Sequence, residues 1–103
     1  MTSGAADSVE TADLVAHAAL AVSGVVSLHG GAFGEVATYL PGRRVDGIRL
    51  TDRICEVHIV VRIPADLPAV AQAVRARVAP LVTVPVQVTI EDVHVGEREG
   101  AQS

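Results

Sequence analysis

Between residues 54 and 63 the odd positions Cys55, Val57, Ile59, Val61 and Ile63 are all apolar, while Glu56, His58 and Arg62 alternate with them. That period of two predicts a strand with one buried face. A second alternation sets Val84, Val86, Val88 and Ile90 against Pro85, Gln87, Thr89 and Glu91. It predicts the last strand, and the loss of parity at Asp92-Val93 implies a bulge or the strand's end. Shorter apolar runs at 25–28 and 45–50 predict two more strands, and Thr51-Asp52-Arg53 reads as a tight turn.

Two stretches follow the helical period instead. Over 8–23, Leu14, Val15, Ala18, Ala21, Val22 and Val25 form one stripe, and Glu10, Asp13 and His17 form a narrow polar strip. The remaining face, Ala12, Ala16 and Ala19, is bare of polar groups, so such a helix is either deeply buried or faces a second protein. Asp7 and Glu10 have the spacing of a capping box, and Gly24 is placed to end the helix. The second helix spans 67–79, with Asp66 as its cap and Pro68 tolerated in the first turn. Leu67, Val70, Ala71, Val74, Val78 and Leu81 share its apolar face, and Pro80 stops it.

The order α-β-β-β-α-β predicts an α+β fold: a small, mostly antiparallel sheet of three to four strands with both helices on one face. The open face would display Glu56, His58, Arg62, Gln87 and Thr89. Residues 7–95 read as a single domain, with 1–6 and 96–103 as flexible tails.

The stretch GGAFGEVATYLPGRR at 30–44 fits none of these periods. It holds the only Phe and the only Tyr, and a connection of this length inside a small domain tends to be a functional surface. Pro41-Gly42 suits the centre of a type II turn that projects Arg43 and Arg44. With Arg49 these form a candidate basic patch for an acidic partner segment or a phosphate, to be weighed against plain solvation. Tyr39 and Phe33 belong to the residue types that anchor interfaces, although Phe33 also suits pinning the loop to the core.

Composition narrows the function classes. Half of the 103 residues are apolar and 2% are aromatic, so small and β-branched side chains must fill the core. A net charge of −4 disfavours a general binder of nucleic acids or anionic membranes, although all 8 cations are Arg. Cys55 stands alone, which excludes an internal disulfide and suggests a reducing compartment. Residues 14–28 resemble a signal core, but Asp7, Glu10 and Asp13 stand where a positive flank belongs, and no window is apolar enough to span a membrane. A cytoplasmic protein without direct membrane insertion is expected.

Catalytic motifs fail on inspection. Gly31 and Gly34 give half of a dinucleotide fingerprint, with His29 in the first glycine's place and no Lys-Ser/Thr pair for a phosphate loop. His17, His29, His58 and His94 lack the spacing that preorganises metal ligands. Cys55 has inward parity, and Glu91 and Asp92 point to opposite faces of their strand. No enzyme, cofactor or metal is expected.

Three segments carry a family resemblance: AHAALAVSGVVSLHGG at 16–31, GEVATYLPGRRVDGIRL at 34–50, and EVHIVVRIPADLPAVAQAVRARVAPLV at 56–82 with VQVTIEDV at 86–93. Together they resemble the alkaline-shock-protein family of envelope stress response proteins of Gram-positive bacteria, and its actinobacterial branch most. The chain departs from that pattern in lacking a strand before the first helix, and at Arg62-Ile63 and Thr83-Val84-Pro85. The resemblance implies a non-enzymatic cytoplasmic protein that forms homo-oligomers and is held near the membrane by a membrane-anchored protein partner. Phe33, Tyr39, Arg43, Arg44 and Arg49 are the candidate partner-binding residues. The alternative is a small nucleic-acid-binding α+β module using Arg43, Arg44 and Arg49.

Overall fold

A nine-residue strand, Cys55–Ile63, is the line against which the rest of the chain is registered. In the computed structural model, which describes residues 4–96, it is β5 of six strands. The others are β1 (Val25–Leu28), β2 (Ala37–Leu40), β3 (Arg43–Asp46), β4 (Ile48–Leu50) and β6 (Val86–Val95). Helix α1 (Gly4–Leu20) precedes them, and α2 (Leu67–Val78) with a short 3-10 turn at Ala79–Leu81 connects β5 to β6. One edge of β5 is paired in parallel by β6, from Cys55 opposite Val86 to Ile63 opposite Val95. The other edge is shared end to end by two antiparallel strands: β4 places Ile48 opposite Val57, and β1 places Leu28 opposite Ile59. Strands β2 and β3 form a separate antiparallel pair.

The α+β class and the mostly antiparallel sheet are as the sequence predicts. The strand count between the helices is not: five strands stand where three were expected. Part of the 30–44 segment is itself a hairpin, with Ala37 opposite Asp46 and Leu40 opposite Arg43. The turn at its tip has Gly42 at φ +76°, as the second central residue of a type II turn requires. The expected strand at 45–50 is broken by Gly47, whose φ of +86° no strand residue adopts. Its conformation and its surroundings both demand glycine. A Cβ there would lie 2.6 Å from Leu28 Cβ, 3.0 Å from the His29 amide nitrogen and 3.2 Å from the His58 carbonyl oxygen.

The core lies between one face of β5 and the two helices. Cys55, Val57, Ile59 and Val61 are fully buried there, with Val74 and Val78 of α2 and Ile48 of β4. Helix α2 starts as expected, with the Asp66 carboxylate accepting from the Ala69 amide at 3.1 Å. Helix α1 corrects two expectations. It begins at Gly4, so Asp7 lies inside it and is not its cap, and residues 4–6 are helical rather than tail. Its buried face is Ala12, Val15 and Ala19, followed beyond the helix by Val22, while Leu14 is 51% exposed. Of the two roles open to the alanine face, burial or contact with a second protein, Ala12 and Ala19 take burial in the protein's own core.

The expected bulge in the last strand is present. Ile59 pairs with Ile90 and Val60 with Asp92, which leaves Glu91 as the extra residue. Gly96, placed in the expected C-terminal tail, donates its amide to the Ile63 carbonyl at 3.1 Å; residues 97–103 and 1–3 lie outside the described residues.

Replacing Gly47 by Ala should cost about 2 kcal/mol or more, since it adds a strained backbone to a clash with main-chain atoms. Urea unfolding measures this, and a variant as stable as the parent would contradict the junction described.

Candidate functional site

Residues 30–36 are ordered by their own polar groups. The Gly31 amide donates to His29 Nδ1 at 2.9 Å, the Gly34 amide to the Gly31 carbonyl at 3.2 Å, and the Phe33 amide to Glu35 Oε1 at 2.9 Å. The Glu35 carboxyl is held below its ordinary range by its own backbone N–H and by that of Phe33. The Val36 amide closes the loop on the Gly30 carbonyl at 2.8 Å, and the buried Val36 and Ala37 root it. Two further backbone bonds anchor it to the sheet: Gly47 N–H to the Val36 carbonyl at 2.8 Å, and His58 N–H to the Gly47 carbonyl at 2.9 Å.

This arrangement turns Phe33 outward. It is 93% exposed, so it does not pin the loop to the core, and Tyr39 on β2 is 69% exposed. Arg44 links the two. It stands opposite Tyr39 in the hairpin register, with its guanidinium carbon 6.0 Å from the Tyr39 ring centre. On its other side the guanidinium reaches the loop, where a Cβ built on Gly34 would come within 3.6 Å of Nη2. Arg44 Nε is in turn held by Asp46 at 2.8 Å. Arg44 thus approaches both the Tyr39 ring and the Gly34 turn of the loop that carries the exposed Phe33.

Arg43 and Arg49 are not part of it. Neighbours along a strand point to opposite faces, so Arg43 turns away from Arg44 and grips Asp13 of α1 with both terminal guanidinium nitrogens, at 2.8 and 3.1 Å. The bond from Arg43 holds the Asp13 carboxyl below its ordinary range. Arg49 meets Glu56 at 3.2 Å on the sheet. All three arginines of the expected basic patch therefore carry a carboxylate and point to three different places, which leaves no assembled cation cluster for a phosphate backbone. Sequence reading missed Asp13, Asp46 and Glu56 as their partners; Asp13 is 30 residues from Arg43 and no local spacing pairs them.

Beyond Arg49 the polar sheet face continues as a chain. Glu56 Oε1 lies 3.3 Å from His58 Nε2, and His58 Nδ1 lies 2.5 Å from Glu91 Oε2. Asp92 instead accepts from the Val93 amide at 2.8 Å, so the two adjacent acids serve different ends. His58 and His94 sit on neighbouring strands but out of register, opposite Thr89 and Arg62. Among the described residues no three metal-ligating side chains cluster. Cys55 is fully buried, and desolvation followed by the nearby Glu56 charge pushes its thiol up to about 11, far from a reactive thiolate. A cleft of about 500 Å³ opens between Thr38, Leu50 and Leu81, with Asp52 the only titratable group lining it among the described residues.

Compared with protein-family models, with curated proteins and with solved structures, the chain matches none of them.

The clamp between Arg43 and Asp13 makes a pH prediction. Because Asp13's folded value is depressed, its contribution is full above the ordinary value of 3.8 and is lost as pH falls through the lower folded value. Asp13→Asn should be less stable than the parent at neutral pH, and the gap should close toward about pH 2. Urea unfolding across that range tests it, and a gap independent of pH would contradict the clamp.

Proposed function

We propose that the protein is a non-enzymatic interaction and scaffold protein of the cell-envelope stress response, self-associating and recruited to the membrane by a membrane-anchored protein partner. The observation that carries this reading is Phe33, 93% exposed on a loop fixed by hydrogen bonds, whose Gly34 turn Arg44 approaches. An exposed aromatic on a mobile loop is unremarkable; one held outward on an ordered loop is preorganised to enter a partner's pocket, because little conformational entropy is lost on docking. The resemblance of residues 16–31, 34–50, 56–82 and 86–93 to alkaline-shock proteins supplies the biological setting. Recruitment through a partner also accords with the absence, among the described residues, of any helix long and apolar enough to cross a membrane.

In this reading Phe33, Tyr39 and Arg44 touch the partner, and Arg43 positions the hairpin by its clamp on α1. Arg49 belongs to the sheet-face chain.

A pull-down from a solubilised membrane fraction tests the proposal. The parent chain should recover a membrane-anchored protein. Burying a Phe side chain is worth about 1.5–3 kcal/mol, so Phe33→Ala should weaken capture about 10- to 100-fold. Its stability should stay within about 0.5 kcal/mol of the parent, since so exposed a side chain contributes little to the fold. Undiminished recovery with Phe33→Ala, Tyr39→Ala and Arg44→Glu combined would overturn the assignment.

A further inference from the structure

Strand β6 is the longest strand, and its outer edge has no partner among the described residues. Its inward row is also incompletely covered. Cys55, Val57 and Ile59 on β5 are fully buried, but Val86, Val88 and Ile90, directly beside them in register, are only partly so. The direction of the backbone groups is fixed by the bond from the Cys55 amide to the Pro85 carbonyl at 2.9 Å. In a parallel ladder that bond assigns residues 85, 87 and 89 to β5 and turns the N–H and C=O groups of Val86, Val88 and Ile90 to the open side. The residues whose apolar side chains pack on the core but are only partly covered are therefore also those whose backbone groups face the open side.

We propose that this edge pairs antiparallel with the same edge of a second copy, about a two-fold axis through Val88. The register follows from the side chains. With the axis there, Val88 faces its own copy and Val86 faces Ile90, so the inward row meets an identical inward row. On the other face Gln87 meets Thr89, and each can hydrogen-bond the other. Glu91 and Asp92 fall opposite the uncharged Pro85 and Val84. Sliding the axis beyond Ile90 brings the acids of the two copies together, which is unfavourable. The start of the strand at Val86 limits the pairing at one side, and the bulge at Glu91 ends it at the other. The opposite side of the sheet offers only the three- and four-residue strands β4 and β1. The contact is isologous and closes at two copies rather than running on into a fibre. The inference deepens the scaffold reading, since it gives the self-association in that reading its surface.

Sedimentation of the full chain at micromolar concentrations tests it with paired charge variants. Gln87→Glu with Thr89→Glu places acids opposite acids at this register, and Gln87→Lys with Thr89→Lys does the same with cations. Each variant alone should raise the dimer dissociation constant at least about tenfold, and an equimolar mixture should restore the dimer as mixed pairs. Val88→Pro, which removes an edge-facing N–H and no bond to β5, should also give monomers, with the circular dichroism spectrum confirming that the chain is folded. A parent dimer indifferent to these variants, or variants that fail to recombine, would overturn the edge assignment while leaving self-association intact. A parent that stays monomeric would overturn both self-association and the edge, with partner capture still testing the rest of the functional reading.

Discussion

The three-way backbone junction at Gly47 is the constraint on which the rest depends. Its N–H holds Val36 and its carbonyl is held by His58, so one residue closes the excursion of residues 30–46 and fastens it to the central strand. Only a positive φ lets the chain leave the hairpin and join the sheet there, and only a missing Cβ lets Leu28 and the main chain of His29 come so near. Without that junction the aromatic surface would be a tether. With it, Tyr39 and Arg44 stand on a short sheet whose position relative to the core is set.

The same economy of volume governs the core. The helix buries alanines rather than leucines, and from its partly exposed side Asp13 meets Arg43 of the hairpin at 2.8 Å. The clamp then braces the hairpin from the side opposite Arg44. Alternation along β3 is what separates the two tasks: one arginine faces the protein and the next faces outward. The polar sheet face follows the same logic, for the bulge places Glu91 where it reaches His58.

Much of this was legible in the sequence. The period of two in β5 and the capped, proline-started α2 appear as read, because each rests on a local rule that tertiary contacts did not override. The parity break in β6 and the turn at Pro41-Gly42 held for the same reason. The hairpin was less visible. Ala37–Leu40 is short, and a type II turn is not the usual two-residue hairpin connection, so the segment looked irregular. A signal for Gly47 was nevertheless present: Val45 and Ile48 are both apolar at an odd spacing, which one continuous strand cannot bury on one face. The buried face of α1 was misread because hydrophobicity favours Leu14 over alanine, whereas close packing favours alanine. Ion pairs between residues far apart in the chain have no local signature at all.

The central claim is that residues 30–46 form a fixed part of the fold. Amide hydrogen exchange measures that residue by residue. The account predicts that the N–H groups of Val36 and Gly47 exchange as slowly as that of His58, which belongs to the central strand. Fast exchange at Val36 and Gly47 beside a protected His58 would contradict it.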